Sequence, residues 1–178
     1  MTSHIHIRPM RSEEAGAVNR LVVHVFRDFV ARDYTAEGIT DILEFIAPGN
    51  LSRRAKAGSL ILVAEVHNSI VGMLELQKNR HLALLFVDSN HQGQGIAGHL
   101  LRRSLERMRT TDPHLAEISV QASPYALEFY RKIGFRETGP QRHEEGRCYH
   151  PMTLDVDTFL ASHDAEHSAS TRNKTERS

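Results

Sequence analysis

The stretch that decides the fold runs from residue 81 to residue 101 and reads HLALLFVDSNHQGQGIAGHLL. After His81 comes an apolar run that ends at Val87, long enough for a strand buried on both faces. A polar loop and two glycines, Gly93 and Gly95, follow this run. Beyond them the apolar residues recur at spacings of three and four, which predicts an amphipathic helix. The segment therefore predicts a buried strand that enters a helix through a glycine-rich turn.

A glycine-rich turn at the start of a helix can bind an anion. Gly93 and Gly95 can adopt positive φ, which allows the backbone to approach a ligand closely. The first amides of a helix have no partners within the helix, and the helix dipole adds to their attraction for negative charge. Phosphate groups commonly bind at such turns. We therefore expect a phosphate-bearing ligand at this turn.

The glycine spacing is also compatible with a dinucleotide fold, but its surroundings are not. Gly93-x-Gly95-x-x-Gly98 satisfies the dinucleotide fingerprint, which is weak evidence when it stands alone. In that fold the first glycine follows the strand almost directly, whereas five residues separate Val87 from Gly93 here. An acidic residue should also end the next strand, yet residues 118–121 read ISVQ. A nicotinamide-dependent enzyme is therefore the remote alternative.

Two motifs in the chain resemble those of one enzyme family. Gln92-Gly93-Gln94-Gly95-Ile96-Ala97 resembles the Gln/Arg-x-x-Gly-x-Gly/Ala loop of the GCN5-related N-acetyltransferases (GNAT), which bind acetyl-CoA. Further on, Tyr130-Arg131-Lys132-Ile133-Gly134-Phe135 is similar to the family's tyrosine helix, Tyr-x-x-x-Gly-Phe. Within this family the chain resembles a bacterial branch whose closing hairpin carries Gly-x-x-x-x-Pro-Met, here Gly146 to Met152. Two motifs in the right order are more specific than either motif alone.

The resemblance implies how acetyl-CoA would be held. The backbone amides of the loop would bind its pyrophosphate, and the loop residues are Gln92, Gly93, Gln94, Gly95, Ile96 and Ala97. The edge of the central strand would pair with the pantetheine arm through Leu85, Phe86 and Val87, with the Val87 amide as the family's usual oxyanion donor. Gln121 and Ser123 would contact the same arm, although the branch usually has Asn where Gln121 stands. This pairing requires the central strand to splay from its neighbour at residues 117–121.

Three residues are candidates for the catalytic groups. By resemblance, Tyr130 faces the thiol of CoA, but its spacing with neighbouring apolar residues is also that of a core tyrosine. Many relatives carry a carboxylate base eleven residues before the Gln of the loop, and here that position is His81. An imidazole, with an unperturbed pKa of about 6.5, suits a general base at neutral pH. Glu75 on the preceding strand is the alternative base.

Composition narrows the class of protein. A chain of 178 residues is one domain by length, and its 22 Lys and Arg balance its 22 Asp and Glu. A neutral chain has no overall field that attracts nucleic acid or an anionic membrane. The start lacks the features of a signal peptide, no apolar run is long enough to span a bilayer, and the single Cys148 fits a reducing compartment. We therefore expect a cytoplasmic protein, and the scattered histidines predict no metal site.

The order of predicted elements defines the fold class. A first strand at residues 4–10 precedes helices for which Ser12 and Thr35 are candidate N-caps, with a stop at Pro48-Gly49. Three antiparallel strands lead to the glycine loop and its helix, and a further strand, the tyrosine helix and a closing hairpin follow. This predicts an α+β, GNAT-like fold: a mostly antiparallel mixed sheet, splayed central strands, and helices on both faces. Residues 1–160 would form the domain, and the polar segment 161–178 a disordered tail.

Together these observations predict an N-acetyltransferase that moves an acetyl group from acetyl-CoA to a primary amine by direct transfer in a ternary complex. The acceptor would be a small-molecule amine or an amine of a peptide or protein, and the resemblance is compatible with a homodimer. The alternative from another functional class is a non-catalytic acyl-CoA-binding regulatory module.

Overall fold

The computed structural model describes residues 4–162, which fold around an eight-stranded mixed sheet. The strands are β1 His6–Pro9, β2 Leu60–Val66, β3 Ser69–Leu76, β4 His81–Val87, β5 Glu117–Ala122, β6 Arg136–Glu137, β7 Arg142–Glu144 and β8 Arg147–Asp155. Their order across the sheet is β1-β2-β3-β4-β5-β8-β6, and β7 pairs with β8 at one side. Every pairing is antiparallel except that of β4 with β5.

Helices cover both faces of the sheet, as the sequence predicts. They are α1 Ala15–Phe29, α2 Ala36–Phe45, α3 Pro48–Lys56, α4 Ile96–Thr111 and α5 Leu127–Lys132, with a further helical stretch at 156–162. On one face, Val22 of α1 and Leu51 of α3 are fully buried in one apolar cluster with Met73. On the other face, Leu100 of α4 is buried in a second cluster with Leu74. The central strands thus lie between two separate apolar cores.

Strand β4 changes face at a bulge. Leu82 packs in the cluster beneath α4, whereas Leu84 packs in the cluster on the opposite face. Residues two apart on a regular strand share a face, so the strand must be irregular between them. In the register with β3, Glu75 lies opposite Leu84 and Leu76 opposite Leu82, which leaves Ala83 as the extra residue. An uninterrupted apolar run has no period and so does not reveal this change of face.

The sheet opens between its two central strands. Strands β4 and β5 pair at only two positions, His81 with Ser119 and Leu82 with Val120. Beyond Leu82 the strands separate, as the sequence predicts. Burial along β4 reflects this gap, because Leu85 is only partly buried. The expectation of a strand buried on both faces was therefore wrong at this end.

Two helix boundaries differ from the prediction. Arg11, not Ser12, is the N-cap of a short 3-10 turn ahead of α1, and the carboxylate of Glu14 accepts the Arg11 amide at 2.8 Å. Pro48-Gly49 does not simply stop α2. Pro48 is the first residue of α3, where a proline loses no hydrogen bond because the first helical amide has no partner. The predicted cap at Thr35 is confirmed, since its side chain accepts from the Gly38 amide at 3.2 Å.

Some sequence predictions concern absences or the end of the chain. Between residues 4 and 162, none of the helices has the length and apolarity needed to cross a bilayer. The same residues contain no grouping of three or more His, Cys, Asp or Glu side chains that could hold a metal ion. Of the predicted tail, Ala161 and Ser162 are helical, and residues 163–178 lie outside the described part of the chain.

Candidate active site

The glycine loop adopts the backbone conformation that its sequence predicts. Gly93 and Gly95 have φ of 75° and 79°, and Gly95 is the N-cap of α4. A Cβ at Gly93 would meet no atom within 4 Å, so this glycine serves the backbone conformation and not close packing. The loop lines a cavity of about 450 Å³ that Leu85, Val87 and Tyr130 also line. The first amides of α4 therefore border an open cavity.

The edge of β4 directs alternate amides into the gap between β4 and β5. The Asp88 amide donates to the Val71 carbonyl at 2.8 Å, towards β3. Because successive amides of a strand point to opposite sides, the Val87 and Leu85 amides point away from β3. The side-chain amide of Gln92 donates to the Val87 carbonyl at 3.1 Å. Two N–H groups thus face the gap, while the Val87 carbonyl is already bonded.

Other predicted cofactor-binding residues contribute differently. The Phe86 amide points to β3 by the same alternation, and its ring packs against the apolar cluster beneath α1. Gln121 is exposed at the end of β5 and lines the gap. The Ser123 hydroxyl also lines the gap and accepts from the Ala126 amide at 3.3 Å, so Ser123 caps the turn before α5. Phe86 therefore differs from its two neighbours on β4 in offering no amide to the gap.

Tyr130 lies where the loop cavity meets the gap. It is 6% exposed and packs edge-on against Phe129 and Phe135, with ring centroids 5.3 and 5.0 Å away. Burial raises the pKa of the Tyr130 phenol, so the hydroxyl stays protonated at neutral pH and can donate. Tyr130 is thus a core residue and a cavity-lining residue at once.

The sequence did not single out Tyr125, which lines the loop cavity and is partly exposed. Its hydroxyl donates to the Gln92 side-chain oxygen at 3.1 Å, and its ring stacks on Phe29 at 4.9 Å. With the bond from Gln92 to the Val87 carbonyl, this forms a chain of contacts from α1 to the end of β4. No spacing rule links residues 29, 92 and 125, so the sequence carried no signal for this contact.

His81 lies at the other end of the gap. Its Nδ1 is 2.9 Å from the Ser119 hydroxyl, so Nε2 is the ring nitrogen left for proton exchange. Burial lowers the pKa of His81, and the positive charge of Arg147 lowers it further. The imidazole is therefore neutral at pH 7, as a proton acceptor must be.

Glu75 is held in a buried ion pair. Its side chain is completely buried, and its two oxygens accept from Nε and Nη2 of Arg54 at 2.8 and 2.9 Å. Arg54 also donates to the Phe45 carbonyl at 2.7 Å and lies 3.7 Å from the centroid of the Phe45 ring. Glu75 is also absent from the walls of the cavity beside His81, so an amine in that cavity would not reach its carboxylate. This geometry argues against Glu75 as the base and for a role in fixing the end of α2.

A second cavity, of about 380 Å³, lies beside His81. Its walls come from α2, β4, β5 and the hairpin of β7 and β8. The polar and aromatic lining residues that the sequence did not single out are Tyr34, Asp41, Phe45, Gln77, Glu145, Arg147 and Tyr149. Arg147 and Tyr149 fall at unspecified positions of the Gly146 to Met152 motif, and the others belong to no motif, so only the packing of the hairpin against α2 brings them together.

A narrow passage joins the two cavities. A third cavity, of about 140 Å³, runs along the gap between β4 and β5. It shares Val87 and Tyr130 with the loop cavity, and Leu82 and Gln121 with the cavity beside His81. The three form one cleft through the sheet, which we call the transfer cleft. The predicted residues Tyr130, His81 and Gln121 all line this cleft, whereas Glu75 does not.

Comparison with known proteins identifies the family. The acetyltransferase (GNAT) domain family matches residues 30–156 of the chain. The peptidyl-lysine N-acetyltransferase YjaB of Salmonella typhimurium is 30% identical over 154 residues, which cover 84% of this chain and 97% of YjaB. The chain therefore belongs to the GNAT family of acetyltransferases, which confirms the resemblance stated from the two motifs.

Other similar proteins extend this comparison. Human N-acetyltransferase 8 is 35% identical over 99 residues, which cover 48% of this chain and only 42% of the human protein. Among solved structures, the PaiA N-acetyltransferase of Thermoplasma acidophilum in complex with coenzyme A superimposes with a TM-score of 0.71 at 19% identity, covering 85% of this chain and 99% of that chain. This structural similarity supports the GNAT fold assigned from the sequence.

Proposed function

We propose that this protein transfers an acetyl group from acetyl-CoA to a primary amine within a ternary complex. The observation that carries the proposal is the transfer cleft, which has a glycine turn at a helix N-terminus at one end and a neutral imidazole at the other. A cleft open on both sides of the sheet allows donor and acceptor to enter from opposite ends. Direct attack of the amine on the thioester then needs no covalent acyl-enzyme.

The residues of the loop cavity fit acetyl-CoA, which supplies an activated thioester when it is bound. The amides from Gln92 to Ala97 stand at a helix N-terminus with two glycines at positive φ, a suitable site for a pyrophosphate. The Leu85 and Val87 amides face the gap, where an extended arm can pair with the strand edge. The complex of PaiA with coenzyme A supports the same choice of ligand.

His81 is the proposed general base. An amine reaches the protein mainly as an ammonium ion and must lose a proton before it can attack. The neutral imidazole of His81 lies in the second cavity, and the Ser119 hydroxyl holds its orientation through Nδ1. Nε2 then accepts the proton, directly or through one water molecule.

The acyl oxygen and the departing thiolate both need hydrogen-bond donors. The Val87 amide, which faces the gap, is the proposed donor to the negative charge that develops on the acyl oxygen. The Tyr130 hydroxyl, protonated because burial raises its pKa, is the proposed donor to the departing thiolate. These groups are fixed by the sheet and by ring packing, so little reorganisation is required during reaction.

The acceptor is proposed to be an amine of a small molecule or of a peptide or protein. The YjaB relative is named as a peptidyl-lysine N-acetyltransferase, which supports an amine as the nucleophile. The cavity beside His81 is large enough for a short side chain or a small molecule.

A thiol-release assay with acetyl-CoA and a broad panel of amines tests the proposal. We expect CoA release that depends on the amine, together with acetylated product in the mass spectrum. Calorimetry with CoA and NAD is run in parallel. Tight CoA binding without any turnover would instead indicate the non-catalytic acyl-CoA-binding module, and NAD binding without CoA binding would contradict both.

A further inference from the structure

The acceptor end of the transfer cleft contains a cation without an assigned role. Arg147, the first residue of β8, lines the cavity beside His81, and its side chain is 31% exposed. Its ion-pair partner is Glu145, at 2.7 Å, whose side chain is 76% exposed. Glu145 lines the same cavity, so the guanidinium lies at the cavity wall beside a counterion that is largely exposed to solvent.

The pair with Glu145 leaves most of the binding capacity of Arg147 free for a ligand. Exposed ion pairs are weak, because solvent screens the charges and the side chains lose entropy. Glu145 engages one nitrogen of a planar group that has five N–H donors. Burial lowers the pKa of His81 and raises that of Tyr34, and the charge of Arg147 acts on both pKa values in the downward direction, so its field reaches into the cavity.

The hairpin that carries Arg147 is fixed against α2. The Thr35 amide donates to the Gly146 carbonyl at 2.8 Å, and Tyr34 forms a bridge with Arg147. A Cβ on Gly38 would lie 2.3 Å from the Gly146 carbonyl oxygen, and a Cβ on Gly146 would lie 2.3 Å from the Thr35 hydroxyl. The two backbones thus meet through paired glycines, and Arg147 is held in place before a ligand arrives.

A carboxylate and apolar groups complete the cavity. Asp41 of α2 lines it, as do the apolar side chains of Ile42 and Phe45. A cavity with a fixed cation, an anion and apolar surface suits a molecule that carries both an ammonium and a carboxylate group.

We propose that Arg147 binds a carboxylate of the acceptor, so that the preferred substrates are amino acids with a free carboxylate. This inference rests on the proposed acetyl transfer and adds the class of acceptor. In the expected complex the carboxylate of the acceptor displaces Glu145 from Arg147, while its amine points along the cleft towards His81. Arginine suits this role because its planar fork matches the two oxygens of a carboxylate.

Matched pairs of amines test the proposal. Phenylalanine is compared with phenethylamine, lysine with cadaverine, and 4-aminobutyrate with propylamine, so that each pair differs by one carboxylate. For at least one pair we expect the wild-type protein to show kcat/KM at least about tenfold higher for the carboxylate-bearing member. No preference for a carboxylate in any pair, or a preference for lysine within an uncharged peptide, would overturn the proposal.

Two variants on the same hairpin provide the matched comparison. Arg147→Gln should raise KM at least about tenfold for the carboxylate-bearing amines, which removes their advantage over the matched amines. The Kd for CoA should stay unchanged. Arg142→Gln is the control, because Arg142 lies on β7, pairs with Glu144 at 3.7 Å and does not line the cavity. Arg142→Gln should keep the preference, and a preference retained in Arg147→Gln would contradict the assignment.

Calorimetry separates this proposal from the proposed function. The CoA-saturated protein is titrated with each amine, which measures acceptor binding without turnover. Carboxylate-dependent binding that Arg147→Gln abolishes, in the absence of thiol release, would support the site and contradict the acetyltransferase function. Thiol release that does not depend on a carboxylate would support the acetyltransferase function and contradict the carboxylate site.

Discussion

The cofactor end of the transfer cleft comes from one stretch of chain with the tyrosine helix beside it, whereas the acceptor end comes from several distant segments. At the cofactor end, β4, the glycine loop and α4 follow one another between residues 81 and 111. At the acceptor end, residues from α2, β4, β5 and β8 meet around one cavity. Backbone conformation dominates the first end, and side-chain chemistry dominates the second.

This difference indicates how each end should respond to mutation. Changes at the cofactor end should act through backbone geometry and should affect binding of any acyl-CoA. Changes at the acceptor end should act through charge and position, and should affect the amine and the pH dependence while leaving CoA binding intact. The following four predictions examine this separation.

The largest effect is expected at the glycine loop. Gly95→Val should weaken CoA binding by roughly 10²- to 10³-fold, because a β-branched residue adopts positive φ poorly and would obstruct the pyrophosphate. The φ of 79° at Gly95 is the structural basis for this expectation. Calorimetry gives the affinity, and circular dichroism verifies that the fold is kept.

Gly49→Ala is the control for that change. Gly49 lies in α3 and does not line the loop cavity, and a Cβ there meets no atom within 4 Å, so CoA affinity should change little. A folded Gly95→Val protein with normal CoA affinity would contradict the loop assignment.

The second prediction concerns the base. His81→Ala should lower kcat/KM by about 10²-fold and remove the acidic limb of its pH profile. In the wild type the rate should fall as pH decreases through the pKa of His81, because the protonated imidazole cannot accept a proton. That limb should lie below 6.5, the ordinary pKa of histidine, since burial and Arg147 lower this pKa. Initial rates from pH 4.5 to pH 9 measure both effects.

Glu75→Gln is the companion to this variant. Removing one partner of a buried ion pair costs about 3–5 kcal/mol of stability, so Glu75→Gln should unfold at a lower temperature. The protein that remains folded should keep the acidic limb. A limb that disappears in Glu75→Gln but survives in His81→Ala would assign the base to Glu75, and a limb unchanged in both variants would indicate a water chain.

A smaller effect is expected for the proposed thiolate donor. Tyr130→Phe keeps the ring and its packing but removes the hydroxyl, so kcat should fall at least about tenfold with little change in KM for acetyl-CoA. Steady-state kinetics and thermal melting are measured together. Near-normal turnover with an altered melting temperature would show that Tyr130 is only a core residue.

The smallest effect is expected where the hairpin meets α2. Gly38→Ala places a methyl group against the Gly146 carbonyl, so the hairpin must shift. KM for the amine should rise by about fivefold, since misplacement of binding groups weakens recognition. The Kd for CoA should stay the same. Gly49→Ala is the control, because a Cβ there meets nothing within 4 Å. If Gly38→Ala lost more CoA affinity than acceptor affinity, the two ends of the cleft would not act separately.

Prediction from the sequence succeeded where physical rules act over short distances. The glycine loop could be placed because positive φ, free helix amides and the apolar spacing after Ile96 are all local signals. The GNAT family followed from two motifs, and the comparisons confirm it. The N-cap at Ser123 is an equally local feature, since its hydroxyl accepts from an amide three residues further along the chain.

Prediction was less successful where the outcome depended on packing. Glu75 and His81 were rival bases in the sequence because both belong to neighbouring strands. The structure distinguishes the two candidates, because Arg54, on α3, binds both oxygens of Glu75. No spacing in the sequence joins residues 54 and 75.

The amino-acid sequence by itself determined the fold class, the family and the conformation of the glycine loop, because each depends on residue types at short, regular spacings. Only the tertiary structure decided which carboxylate is buried, where β4 bulges at Ala83, and which side chains line the acceptor cavity. Those features depend on contacts between segments far apart in the chain, which bring Arg147 of the hairpin to the same cavity as His81. The physical reason is that burial and electrostatic environment belong to the packed molecule and not to any one segment.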